Sequence, residues 1–281
     1  MSNLEALLLG VVQGLTEFLP ISSSGHLIIV PWLQDYTFLT TDDAFNETFD
    51  VALHAGTLLA AIAFFRLEVW RLIVAFIGAV RKRAIETSEE RLAVAIAIGT
   101  VPAVIAGGLA SDFIDEHLGE PWMIAVQLIV FGALLDWADR RPQRRSLEKA
   151  DLRDGGWIGI AQVLALAPGT SRSGITITAA RFLGLDRDGA ARFSFLLLIP
   201  IVAGATLFKG ISAVHEGLPP GVGGPMIVGT LAAAVSGYGA IVFLLRLVRT
   251  RSYRPFVLYR YAAGVAILIV IATGLRPATF G

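Results

Sequence analysis

The sequence predicts an all-α polytopic membrane protein with six transmembrane helices and two re-entrant helical hairpins, arranged as an inverted repeat. Three observations carry that reading. Of 281 residues, 55% are hydrophobic and 16% charged, with a mean hydropathy of +0.68, which leaves too few polar groups to cover a soluble domain of this size. Apolar runs of membrane-spanning length recur along the chain. Two further apolar regions are broken at their centres by Pro, Ser and Gly, and the two breaks carry the same pattern.

In order, the first interrupted region covers roughly 3–33, and spans follow at 47–65, 92–111 and 121–138. Residues 66–80, with Trp70, Leu72, Ile73 and Phe76, read as an interfacial helix or an extension of the first span. The second interrupted region covers 156–184, followed by spans at 189–211, 225–248 and 256–274. Each half of an interrupted region is too short to cross alone, and irregular backbone at membrane depth survives only where protein or a wet cavity satisfies it. Both are therefore expected to be re-entrant hairpins. The organisation is one membrane domain over 1–281, with repeat one at about 1–140 and repeat two at about 154–281. A second echo supports the division: Gly99-Thr100-x-x-Ala103-x-x-x-Gly107 recurs as Gly229-Thr230-x-x-Ala233-x-x-x-Gly237 in the middle span of each triplet. Such small-residue faces let helices approach closely, and would permit a homodimer without demanding one.

Composition excludes some classes. With no cysteine, disulfide and thiolate chemistry are absent, and 23 basic against 23 acidic residues point to no nucleic-acid partner. The opening Met1-Ser-Asn-Leu-Glu5 lacks the basic leader of a signal peptide, so insertion is expected to rest on the chain's own apolar segments.

Charge placement predicts orientation. Connection 66–91 carries Arg66, Arg71, Arg81, Lys82, Arg83 and Arg91; connection 139–154 carries Arg140, Arg141, Arg144, Arg145, Lys149 and Arg153; residues 246–254 add Arg246, Arg249, Arg251 and Arg254. The opposite connections, 34–46, 112–120 and 212–224, hold Asp35, Asp42, Asp43, Asp112, Asp115, Glu116 and Glu120 and no Lys or Arg. The basic side is expected to be cytoplasmic. Three spans per repeat then give the repeats opposite topology, with hairpin tips meeting near the midplane, a cavity facing the extracytoplasmic side, and both termini outside.

The tips hold the chemistry. The first reads Gly10-Val-Val-Gln13-Gly-Leu15-Thr-Glu17-Phe-Leu-Pro20-Ile-Ser22-Ser23-Ser24-Gly25-His26, and the second Gly159-Ile-Ala-Gln162-Val-Leu164 through Pro168-Gly169-Thr170-Ser171-Arg172-Ser173-Gly174-Ile-Thr176. At one constant offset Gly10, Gln13, Leu15, Ser22, Ser24 and Gly25 fall on Gly159, Gln162, Leu164, Ser171, Ser173 and Gly174. Each tip precedes a short apolar helix, whose free N–H groups and dipole make an anion site, with Ser as a favoured cap. Facing N-termini plus the Arg172 guanidinium would grip a group with several oxygens, such as a phosphate. Glu17 lies among apolar residues, where a carboxylate is costly without a partner, and Gln13, four residues earlier, shares its helix face. The His26 imidazole could serve as base, nucleophile or metal ligand. Asp50 and His54, four apart on the first span, either supplement this site or pair with each other near the outer surface. A midplane site for phosphorus chemistry implies a substrate with its phosphate on a lipid tail. A carrier of phosphorylated lipid shares the architecture, but Glu17 and His26 occur only in the first repeat, and an acid–base pair serves hydrolysis rather than transport.

These motifs resemble those of the undecaprenyl-diphosphate phosphatase family, the integral-membrane type associated with bacitracin resistance. The family's signatures stand here as Gln13-x-x-x-Glu17 leading into Pro20-Ile-Ser22-Ser23-Ser24-Gly25-His26, and as Pro168-Gly-Thr-Ser171-Arg172-Ser173-x-x-Thr176. The resemblance implies hydrolysis of undecaprenyl diphosphate to undecaprenyl phosphate and inorganic phosphate, which recycles a lipid carrier for cell-envelope polymers at the plasma membrane. It also implies a divalent cation, Mg²⁺ or Ca²⁺, for which Glu17 is a candidate ligand in this chain. It implies that Glu17, Ser23, His26 and Arg172 are catalytic, and that Ser171, Ser173 and Thr176 contact phosphate, alongside Gln13, Ser22 and Ser24 at the first tip. Many relatives carry Glu where this chain has Gln13, so a mechanism needing two carboxylates in this motif is weakened. The attacking group is left open among Ser23, His26 and water.

Overall fold

The computed structural model describes residues 1–34, 43–216 and 223–280. Asp35 and Asp42, and residues 217–222, lie outside the described residues. Among those described there are ten helices and no strand: α1 (Asn3–Phe18), α2 (Ser23–Gln34), α3 (Asp43–Lys82), α4 (Ser88–His117), α5 (Pro121–Asp139), α6 (Leu152–Val163), α7 (Arg172–Phe182), α8 (Arg187–Glu216), α9 (Gly223–Val248) and α10 (Arg254–Ala272). Five contain segments long and apolar enough to cross a membrane: Ser88–Leu109, Pro121–Asp139, Arg187–Gly210, Gly223–Val248 and Arg254–Ala272. They coincide with five of the six expected spans. The remaining one, 47–65, falls inside α3, which is not among the five and carries Asp50 and His54 before its kink and Arg66, Glu68 and Arg71 after it. The kink is at Phe65, where the backbone leaves helical geometry (φ −93°, ψ 15°). Beyond it the chain stays helical to Lys82, so 66–80 continues the helix that holds 47–65. A helix leaving an apolar layer still satisfies its own backbone, which is why a change in polarity does not end it.

Both interrupted regions are pairs of short helices. The first pair has 16 and 12 residues and the second 12 and 11; at about 1.5 Å per residue none exceeds about 24 Å. The leading helix of each pair starts on a capping box: Ser2 with Glu5 in α1, Asp151 with Asp154 in α6. Each capping hydroxyl or carboxylate accepts from a first-turn N–H that the helix cannot use, while the partner carboxylate accepts from the cap residue's own N–H.

Packing crosses between the halves. α1 lies on α9 and α6 lies on α4. A methyl group at Gly10 would collide with the carbonyl oxygen of Gly229, and one at Gly159 with that of Gly99. These are the same two positions of the repeated pattern, paired twice. The small-residue faces of α4 and α9 are thus engaged inside the chain.

At the end where the basic connections lie, Asp139 gathers the termini. Its carboxylate accepts from Arg187 Nε (2.6 Å) and from the backbone N–H of Tyr253 (3.0 Å). Arg181, fully buried, donates to the carbonyls of Asp139, Arg141 and Leu185. The core between the long helices centres on Phe18, Phe65, Phe193 and Phe195, with Phe18 edge-on to Phe195 at 5.3 Å.

Candidate active site

Each crossover between short helices turns on one strained serine. Ser22 has φ +78° and Ser171 φ +74°, a region costly to a residue with a Cβ. Each hydroxyl caps the helix that follows: Ser22 Oγ accepts from the Gly25 N–H (3.3 Å), Ser171 Oγ from the Gly174 N–H (3.1 Å). The residue after each turn, Ser23 in one and Arg172 in the other, is the first of its helix.

The tips are bonded to each other. Ser22 Oγ also accepts from the Gly169 N–H (3.1 Å), and Ser173 Oγ donates to the Leu19 carbonyl (3.1 Å). Between them sits Glu17, on the last turn of α1 and 5% exposed. One carboxylate oxygen accepts from Arg172 Nη2 (3.0 Å). The other accepts from Ser23 Oγ (2.6 Å) and from Gln13 Nε2 (3.3 Å). His54 Nε2 stands 3.9 Å from that second oxygen, while its Nδ1–H donates to the Asp50 carbonyl (2.8 Å). Arg172 Nη1 reaches the Ser194 carbonyl (2.9 Å), which aims the guanidinium along α8. A carboxylate held by a guanidinium on one side and a hydroxyl on the other satisfies the demand of a buried charge.

This group opens into a cavity of about 760 Å³, whose wall includes Glu17, Ser23, Ser24, Asp50, His54 and Arg172 and, toward its far end, Thr206 and Lys209. Asp50 and His54 therefore face the site. Four other anticipated contacts are turned inward: Ser22, Ser171 and Ser173 form the caps and cross-links just described, and Thr176 Oγ1 lies 2.7 Å from Ser194 Oγ. Gln13 is buried behind Glu17.

His26 stands apart. It lines a separate, largely apolar pocket of about 200 Å³ with Tyr259 and Ile267. Its Nδ1 lies 2.6 Å from the Ser22 carbonyl, which can only accept, so Nδ1 carries the hydrogen. Nε2 then meets the Tyr259 hydroxyl at 2.7 Å, with the two rings stacked.

Sequence reasoning passed over Ser194, Gln127, Tyr259, Lys209 and above all Arg260. Arg260 is fully buried and donates to five carbonyls: Pro20 at the first tip, Gly169 and Thr170 at the second, and Gln127 and Leu128 on α5. Its position inside a 19-residue apolar helix was the available signal.

Among the described residues no three His, Asp or Glu side chains form a cluster fit to hold a metal ion. Glu17 and Asp50 do share the cavity wall, which suits a cation that keeps most of its ligands from water and phosphate rather than from a protein cage.

Helices of membrane-crossing length around a buried carboxylate, hydroxyl and guanidinium define the class: a multi-pass membrane protein with a centre suited to phosphorylated substrates. The family model of bacitracin resistance protein BacA matches residues 6–266. A protein of Pelobacter propionicus named undecaprenyl-diphosphatase is 46% identical over 98% of this chain and 99% of its own. One so named from Geobacter sulfurreducens is 48% identical over 95% and 98%, and one from Thermomicrobium roseum 45% identical over 95% and 98%. The chain belongs to the bacitracin resistance protein BacA family.

Proposed function

We propose that this chain hydrolyses undecaprenyl diphosphate to undecaprenyl phosphate and inorganic phosphate, with Ser23 as the attacking group, Glu17 as its base and Arg172 as the phosphate anchor. The observation that carries this is the 2.6 Å hydrogen bond from Ser23 Oγ to the same carboxylate that Arg172 holds, on the wall of an open cavity. A terminal phosphate entering the cavity competes with Glu17 for the guanidinium. As Arg172 turns to the phosphate, the carboxylate is left to Ser23, so binding itself prepares the base. Ser23 Oγ then bonds to the terminal phosphorus, its proton passes to Glu17, and the bond to the bridging oxygen breaks, releasing the lipid monophosphate. Water attacks the phosphoserine, the Oγ–P bond breaks, Glu17 returns the proton to Ser23, and inorganic phosphate leaves. Positioning and charge neutralisation are the main demands of phosphoryl transfer. The first-turn N–H groups of α2 and the Arg172 charge supply both.

A divalent cation, Mg²⁺ or Ca²⁺, would neutralise diphosphate charge, with Glu17 and Asp50 as the protein ligands on the wall. His26, turned from the cavity, holds the Ser22–Ser23 turn through the Ser22 carbonyl. The finer topology is six spans, with α3 supplying the first, and two re-entrant hairpins in inverted repeat within the plasma membrane. α8 runs from the Asp139 knot at the basic end to Lys209 at the cavity's far end, which supports a cavity open to the extracytoplasmic side and both termini there. The prenyl tail then lies among the lipid-facing helices.

The deciding experiment supplies undecaprenyl diphosphate labelled with ³²P at its terminal phosphate to purified protein and quenches it in acid. Label retained on the wild-type chain and lost in Ser23→Ala supports the reading. Direct ¹⁸O transfer from water with inversion at phosphorus overturns the covalent route, and a protein that releases no phosphate is a carrier.

A further inference from the structure

Two arginines in this molecule are fully buried and bonded mainly to backbone carbonyls, and they sit at opposite places. Arg181 ties the loops at the basic end, close to Asp139 (3.9 Å). Arg260 has no carboxylate ion pair among the described residues, and its five hydrogen bonds all end on carbonyls at or beside the two tips. Room has been left for it on both sides. A methyl group at Gly132 of α5 would press on the Arg260 Cβ at 3.3 Å, and one at Gly174 of α7 on its Nη1 at 3.0 Å.

The chemistry of those carbonyls matters. Pro20 lies just beyond the C-terminal end of α1, and Gly169 and Thr170 lie between the turn that follows α6 and the start of α7, so Arg260 gathers oxygens from both crossovers. The positive ends, the N-termini of α2 and α7, carry Ser23 and Arg172 into the cavity. A single guanidinium with five donors in one plane sets where both crossovers stop. No ammonium can do the same, since three donors around a point cannot reach five oxygens spread over three segments.

We propose that Arg260 is a positioning residue for the reaction: it fixes the separation of Ser23 from Arg172 by clamping the two crossovers onto α5 and onto each other, without touching substrate. This rests on Ser23, Glu17 and Arg172 being the reacting groups. The binding surface of the cavity survives a slackened clamp, whereas the alignment of hydroxyl and phosphorus does not. Loss of the clamp therefore falls on kcat and leaves KM.

The test uses the full chain in detergent or nanodiscs, with undecaprenyl diphosphate as substrate, the folded fraction from size exclusion, and the thermal midpoint. Arg260→Lys is expected to lower kcat about 100-fold, the effect of roughly 1 Å of misplacement, with KM within about threefold. Arg181→Lys, an equally buried arginine at the far end, is expected to lower the thermal midpoint while kcat per folded molecule stays at the parent value. Gly132→Ala pushes on Arg260 from a helix that does not line the cavity, and is expected to show the same split at smaller size. It decides the matter if Arg260→Lys does not accumulate. Normal kcat in folded Arg260→Lys, or in Gly132→Ala where only that variant folds, overturns the proposal, as does an equal kcat loss in Arg181→Lys. Arg172→Ala keeps the two readings apart: retained turnover there sinks the assignment of the reacting groups, while lost turnover there with normal Arg260→Lys sinks only the clamp.

Discussion

The two crossovers use one backbone device for two purposes. In each, a serine in the left-handed region ends the turn, its hydroxyl caps the next helix, and the following side chain starts that helix facing the cavity. In the first crossover that side chain is Ser23, and in the second it is Arg172. Where α1 carries Glu17, the corresponding position of the second half is Leu166, and where α2 carries His26 the other has Ile175. The comparison teaches that a repeated fold need not repeat a function. One strained turn delivers a hydroxyl from one side and a guanidinium from the other to a point neither half could build alone.

The largest test of that division is removal of either delivered group. Ser23→Ala, Glu17→Ala and Arg172→Ala should each lower phosphate release by about 10²–10³ or more, the scale set by losing one preorganised charge contact. Equal, near-normal turnover in all three would break the comparison outright. Next in size is His26. Its Nδ1–H holds the Ser22 carbonyl, so His26→Ala should cost about 10–100-fold by letting the turn drift. His26→Asn, whose amide can donate to the same oxygen, should recover most of it. An obligatory base would not be rescued, so failure of His26→Asn would return His26 to the reacting centre.

Smaller effects sharpen the likeness of the halves. Gly10→Ala and Gly159→Ala each force a methyl onto a facing carbonyl and should destabilise alike, by about 1–3 kcal/mol, read as thermal midpoints in detergent. The finest distinction lies at the strained serines. Glycine relieves a left-handed cost of about 1–2 kcal/mol and gives up only a few tenths in capping, so Ser171→Gly should be neutral or stabilising. Ser22→Gly also loses the bond from Gly169, worth about 1 kcal/mol, and should be the less stable of the pair. A reversed order would show that the first tip does not rely on that link.

Much of this was legible in the residues. Five spans stand out because about 20 apolar residues in a row have few other uses, and the two tips because Ser, Gly and Gln recur in step around one Glu and one Arg. What escaped did so for physical reasons. The direction of His26 depends on how α2 docks against α10, which no local spacing encodes. Ser171, Ser173 and Thr176 read as ligand contacts, yet a hydroxyl meets a backbone group or another hydroxyl as readily as a phosphate, and here each does so. Arg260 was hidden by its surroundings: averaged over an apolar helix one charge hardly registers, although a buried guanidinium without a carboxylate must be satisfied by something, and here three carbonyls of the non-helical crossovers and two of α5 do so.

The crossed seating of α1 on α9 and of α6 on α4 has a mechanical result. Rocking one half against the other, the motion by which many carriers expose a site to each face in turn, would prise Gly10 from Gly229 and Gly159 from Gly99 and pull Glu17 away from Arg172 in the same stroke. A molecule interlaced in this way brings Glu17 and Arg172 together only while its two halves stay seated on each other.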